Sequence, residues 1–121
     1  MIRVQADKSR QLLRISFAQH VKPEETKSLS EKVEKLLAEL QPGFALLSDL
    51  SSLETMDVAC APFISRVMDF CNDKGIATVV RVIPDPRKDI GLNILTLFHY
   101  SRKVRVVTCD TLDEAAKILR L

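Results

Sequence analysis

The densest run of side chains able to do chemistry is Asp49-Leu50-Ser51-Ser52-Leu53-Glu54-Thr55-Met56-Asp57, with three acids and two serines in nine positions. Acids grouped with hydroxyls bind cations or accept phosphate. A polar turn and a helix cap account for the same residues more simply. Nucleophilic catalysis needs a serine or cysteine oriented by a base. The chain has no G-x-S-x-G elbow, and Cys60 has no histidine beside it in sequence. His20 and His99 are the only histidines, and neither has a metal-ligand partner at i+4. Gly43, Gly75 and Gly91 stand alone, so no glycine-rich loop can cradle a phosphate. No cofactor, no metal and no enzymatic activity are therefore expected, and a reaction centre using Asp57, Cys60 or His99 ranks last.

The elements that must position these residues read as follows. Two short strands, Ile2–Ala6 and Leu12–Phe17, flank the polar turn Asp7-Lys8-Ser9-Arg10 and predict an antiparallel hairpin. Pro23 opens a helix whose stripe of Leu29, Val33, Leu36, Leu37 and Leu40 faces a core, and Pro42-Gly43 stops it. Phe44–Ser48 reads as a buried strand, and Leu50–Met56 as a loop into a second helix. That helix starts at Asp57 as cap or nearer Ala59, buries Ile64, Val67, Met68 and Cys71, and ends at Gly75. Ile76–Ile83, interrupted only by Thr78 and Arg81, reads as a central parallel strand buried on both faces. Asp85 before Pro86 caps a third helix, Lys103–Thr108 forms the last strand, and Thr111-Leu112-Asp113-Glu114 is a capping box for a fourth helix. The order β-β-α-β-α-β-α-β-α predicts an α/β fold with a mixed, largely parallel sheet of about five strands.

The third helix carries a second signal. At about 100° per residue, Ile90, Ile94, Leu97 and Phe98 fall on one side and are assigned to the sheet, which leaves Leu92, Leu95 and His99 outward. Such an apolar patch is either covered by the fourth helix or a loop, or forms an interface for a partner or for a homodimer.

The totals set the context. The 121 residues fit a single domain, residues 1–121, long enough to fold on its own core. A formal net charge of +2 lacks the electrostatic footprint of a nucleic-acid binder. Three cysteines cannot all pair with one another, and Cys60 and Cys71 lie about 16 Å apart along one helix, too far for a disulfide. That pattern, with no apolar leader and no run of apolar residues long enough to span a membrane, predicts a cytoplasmic protein with no membrane span.

The chain resembles the STAS family, the domain shared by sulfate transporters and anti-sigma factor antagonists, over nearly its whole length. Asp49-Leu50-Ser51-Ser52 followed by Met56-Asp57, the strand Ile76–Ile83, and Val104-Arg105-Val106 followed by Thr111-Leu112-Asp113-Glu114-Ala115 carry the resemblance. It implies a regulatory protein-interaction module whose partner is an anti-sigma-type regulator. In that family an aspartate and a phosphorylated serine open the second helix. Asp57 matches the aspartate, but Val58 stands where the serine would be, and a valine cannot accept phosphate. The expected docking loop is Ser51, Ser52, Glu54, Thr55, Asp57 and Val58, with Ser51 and Ser52 as the remaining nearby serines. The alternative is a carrier of a small ligand, a lipid or a nucleotide, in a pocket under that loop lined by Met56 and Phe63.

Overall fold

The computed structural model describes residues 1–89 and 91–121. Five strands form one sheet: β1 (Ile2–Asp7), β2 (Leu12–Val21), β3 (Ala45–Met56), β4 (Thr78–Val82) and β5 (Arg105–Cys109). Their order in space is their order in the chain. β1 is antiparallel to β2, and every later pairing is parallel. Four helices alternate with the strands: α1 (Pro23–Leu36), α2 (Ala61–Lys74), α3 (Leu92–His99) and α4 (Leu112–Leu119). This is the mixed α/β sheet that the sequence predicts.

Right-handed crossovers between neighbouring strands in such an order put their helices on one face of the sheet. The core divides accordingly. On one side Leu13, Ile15, Phe17, Leu46, Leu50 and Val79 pack with Leu29 and Val33 of α1, Ile64, Val67 and Cys71 of α2, and Leu92 of α3. On the other, Leu12, Leu47, Val80, Val82 and Cys109 meet Ala115, Ile118 and Leu119 of α4. Alternate residues of β4 thus enter different cores, which explains its run of valines.

Local signals set the helix ends. Pro23 lies in the first turn of α1, where its missing N–H is no loss. The later of the two starts considered for the second helix is the one adopted: a 3-10 turn at Val58–Cys60 precedes α2, and Pro62 falls in its first turn. Gly75 ends α2 at φ +95°, with its N–H on the Asn72 carbonyl. The Thr111 hydroxyl accepts the Glu114 N–H at 3.1 Å, the cap expected for α4.

Two segments differ from their expected form. Leu50–Met56 is not a loop but the second half of β3, paired to an equally extended β2 (Ala18 with Ser52, His20 with Thr55, Val21 with Met56). Leu50 and Leu53 are buried while Ser51, Ser52, Glu54 and Thr55 are exposed, so the polar residues are the outer side of a strand with a local irregularity. The helix expected from Pro86 is a 3-10 turn at Pro86–Asp89 followed by a separate α3, with Gly91 at φ +82° just before it. Asp85 accepts the Arg87 N–H at 3.0 Å and pairs with the Arg87 guanidinium, so it closes that turn and does not cap α3.

Candidate partner-binding site

Of the residues singled out in Asp49–Val58, Thr55, Asp57 and Val58 lie at the carboxyl ends of β2 and β3, where open α/β sheets carry their sites. Parallel pairing of these strands sets His20 against Thr55. The His20 Nδ1 hydrogen-bonds to the Thr55 hydroxyl, and its Nε2 lies 3.0 Å from Asp57 Oδ1. Asp57 therefore does not cap the following turn with its side chain, as the sequence suggested. Its backbone does the anchoring: the Asp57 N–H donates to the Val21 carbonyl at 3.1 Å, and the Asp57 carbonyl accepts the Cys60 N–H at 2.9 Å. Sequence reasoning treated His20 as isolated, because a partner 35 positions away is visible only once strand register is known.

A hydroxyl, an imidazole and a carboxylate in line are the parts from which a nucleophile and its base are built. Acyl chemistry would also need donors for the developing oxyanion. The Asp57 N–H, which adjoins the cluster, is already committed to Val21. What the cluster does by geometry is fix the end of β3 to β2 and set the chain leaving it. Val58, the next residue, is 91% exposed.

The other members of the acidic run are spread along the strand. Ser51 donates its hydroxyl to Asp49 Oδ1 at 2.6 Å and its N–H to the same oxygen at 3.0 Å. Ser52 and Glu54 are exposed, and the Glu54 carbonyl accepts Lys88 Nζ. Among the described residues, no three histidines, cysteines or acids stand close enough to hold a metal ion. Cys60 and His99 form no dyad: the Cys60 thiol points to the Val21 carbonyl, and burial raises its pKa. His99 Nδ1 instead lies 2.7 Å from Asp69 Oδ1 of α2.

The facing of α3 is the reverse of that expected. Leu92 is buried, Leu95 packs against the core, and His99 is partly covered beside Asp69, so these three are not an outward patch. Ile94, Leu97 and Phe98 point to solvent, exposed by 63, 81 and 78%. Ile90, grouped with them in the sequence reading, lies outside the described residues. The reason is polar. Arg81 projects from β4 into the core beneath α3, and its Nη2 donates to the Thr96 hydroxyl at 2.7 Å. A buried guanidinium requires an acceptor. Thr96 must therefore face the sheet, and Leu92, Leu95 and His99 share its side of the helix. Apolar residues surround α3, so hydrophobicity alone could not choose a face.

Between the end of β3, the start of α2 and the inner edge of α3 runs a groove of about 290 Å³, lined by Met56, Val58, Ala61, Ile64, Leu92 and Leu95, with Asp57 at its rim. Phe63 is not part of it; its ring lies under the Arg66 guanidinium, 5.5 Å from the centroid. Phe98 lies one turn on from Leu95 and continues the apolar surface outward.

No family model matches the sequence, and no curated protein is similar to it by sequence. Solved structures do match its fold. An uncharacterised protein of the DUF3478 family with a SpoIIAA-like fold, from Shewanella loihica PV-4, superposes with a TM-score of 0.74 at 14% identity, over 98% of this chain and 93% of that one. The anti-sigma factor antagonist SpoIIAA, in its unphosphorylated form, gives 0.67 at 12% identity, over 99% and 98%. SiaC of Pseudomonas aeruginosa, the activator of the diguanylate cyclase SiaD, seen in complex with it, gives 0.58 at 13% over 90% and 93%. The STAS-like fold implied by the sequence resemblance is the fold observed.

Proposed function

We propose that this SpoIIAA-like chain is a non-catalytic regulatory module that acts by docking a protein partner, an anti-sigma-type regulator, at the carboxyl ends of β2 and β3 and along α3. The carrying observation is Val58: an apolar side chain 91% exposed on a turn tethered at Asp57. Exposed apolar residues held by a rigid scaffold, rimmed by polar groups, mark interaction surfaces. Val58 opens onto the groove that leads to Leu95, and Phe98, Leu97 and Ile94 extend that surface. Asp57 stands at the groove's rim, and the exposed Ser51, Ser52, Glu54 and Thr55 of β3 extend the proposed docking edge away from it.

The relatives of known role support the reading. An anti-sigma factor antagonist and an activator seen bound to its cyclase share this fold, and each is described by the protein it regulates. With valine at position 58, docking here is constitutive and is not switched by phosphate at that position. The module works in the cytoplasm, where unpaired thiols such as Cys60, Cys71 and Cys109 persist. Among the described residues no helix is long and apolar enough to cross a membrane.

The test pairs affinity capture with variants. The chain and its Val58→Asp and Leu97→Asp variants are immobilised and exposed to lysate of the source cell, and recovered proteins are quantified. One regulator recovered in stoichiometric amount and reduced at least tenfold by either variant supports docking at this edge. Recovery unchanged by both variants refutes it. Intact mass of the chain from the same cells checks the switch: a phosphate adduct mapped to Ser51 or Ser52 would show that it has moved.

A further inference from the structure

β1 forms one edge of the sheet and pairs with β2 alone. The Ala18 N–H donates to the Met1 carbonyl at 2.8 Å, which makes that pair a hydrogen-bonded one. Hydrogen-bonded and open pairs alternate along an antiparallel ladder, so Arg3–Ser16, Gln5–Arg14 and Asp7–Leu12 carry the bonds to β2. The N–H and carbonyl groups of Ile2, Val4 and Ala6 point the other way, off the free edge. Nothing in the strand shields them. Ile2–Asp7 contains no proline or lysine, and its register with β2 is unbroken by a bulge. An edge in this state is a template for another strand.

The two faces beside that edge differ. On the α1 side a groove of about 290 Å³ runs between β1 and α1 over Ile2, Val4 and Leu29, with Glu24, Ser28 and Lys32 also lining it. Glu25, in the same lining, already accepts the Lys22 N–H at 2.9 Å. On the opposite face, beside the start of α4, a depression of about 260 Å³ is lined by Arg3, Gln5, Arg14, Ser16 and Asp49. Among the described residues neither arginine has an ion-pair partner. Asp49, the one carboxylate in that lining, already accepts the N–H and the hydroxyl of Ser51. One face therefore has an apolar floor, and the other is cationic.

We propose that the β1 edge takes up an extended acidic segment of a partner protein as an added antiparallel strand, with apolar and acidic residues alternating along it. Successive side chains of a strand point to opposite faces. Alternation thus places the apolar ones beside Ile2 and Val4 and the acids beside Arg3 and Gln5. At Arg3 and Gln5 the new pairing is of the open kind, in which facing side chains come closest. An acid opposite Arg3 meets that guanidinium directly. The next acid on the same face lies opposite Gln5, in line with Arg14 on β2. A second copy of β1 matches less well, because it brings Arg3 and Gln5 to this face with Asp7 as its one acid. The charge selects an acidic strand over self-pairing. None of these residues belongs to the Val58 and α3 surface proposed above.

The probe is a short synthetic peptide of alternating valine and glutamate, capped at both ends and added to the purified chain. One control replaces each glutamate by glutamine, and a second methylates the backbone nitrogens that would face β1. Amide hydrogen exchange is followed by NMR at Val4 and Ala6, whose N–H groups lie on the free edge. At least tenfold slower exchange there with the glutamate peptide, and at least tenfold weaker binding of both controls, support the proposal. So does at least tenfold loss of affinity when Arg3→Gln and Arg14→Gln are combined. Equal binding of the glutamate and glutamine peptides overturns the acidic partner. Exchange at Val4 and Ala6 that slows with protein concentration alone, with a doubled mass in sedimentation, overturns it in favour of self-pairing. No slowing under any condition overturns the edge as a docking site. Should the arginine variant not fold, the two control peptides on the unaltered chain decide alone. Docking at Val58 is read with a different partner and different residues, so either proposal can fail without the other.

Discussion

Replacing Thr96 with valine removes the one protein acceptor that Arg81 has among the described residues and leaves the side-chain volume nearly unchanged. The hydroxyl also donates to the Leu92 carbonyl at 2.8 Å, but that oxygen lies one helical turn back and such a contact adds little. Valine and threonine differ little in helix propensity. The loss is then that of a hydrogen bond to a charged donor, about 2 kcal/mol. With Arg81 at 2% exposure, solvent cannot take over. For a domain of this length that is a fall in Tm of about 8 °C. Arg81→Met, by contrast, removes the buried charge itself and should be neutral or stabilising by up to about 4 kcal/mol. In the Arg81→Met background, Thr96→Val has nothing left to break and should cost less than about 0.5 kcal/mol. Urea unfolding followed by far-ultraviolet circular dichroism on the four proteins gives the coupling directly. A Thr96→Val cost that is the same in both backgrounds would refute the reasoning that a buried guanidinium orients α3.

Other outcomes follow from the same contacts. Leu97→Asp and Phe98→Asp should change unfolding free energy by no more than about 0.5 kcal/mol, while Leu92→Ala should cost about 2–4 kcal/mol, measured by urea denaturation. Burial pushes the Cys71 thiol up to about 12, so the folded protein keeps a proton that the unfolded chain loses near its ordinary value of 9.0. Stability from this group is full below pH 9 and falls between pH 9 and about 12, by up to about 1.4 kcal/mol per pH unit, in denaturation curves across that range. Gly75→Ala should destabilise by more than about 1 kcal/mol, because φ is +95° and a Cβ there would come within 3.1 Å of the Pro42 Cβ.

Features set by local chemistry were legible in the sequence. Pro23, Gly75 and the Thr111 hydroxyl cap mark helix ends through interactions within a few residues, although the reciprocal Glu114 half of the expected capping box is not formed among the described residues, and the valine run of β4 reports burial on both faces. What was not legible depended on partners distant in sequence. The polar letters of Ser51–Thr55 resemble a loop, yet β2 runs beside them and makes them the exposed side of a strand. Hydrophobicity could not orient α3, and the deciding residue was Arg81, fifteen positions earlier on a strand that otherwise buries valines. A charged residue interrupting such a strand was the available signal, and its consequence for Thr96 follows from the need of a buried donor for an acceptor. His20 gave no sequence signal at all, because its link to Thr55 and Asp57 arises from register across two parallel strands.

Photo-crosslinking at chosen positions tests docking most directly. A benzophenone side chain is placed at Val58, at Leu97 and, as control, at exposed Lys32 on α1, and the adducts are identified by mass spectrometry. The same single protein captured from Val58 and Leu97, and absent from Lys32, is the expected result. Equal capture at all three positions, or none at Val58 and Leu97, would contradict a recognition surface at this end of the sheet.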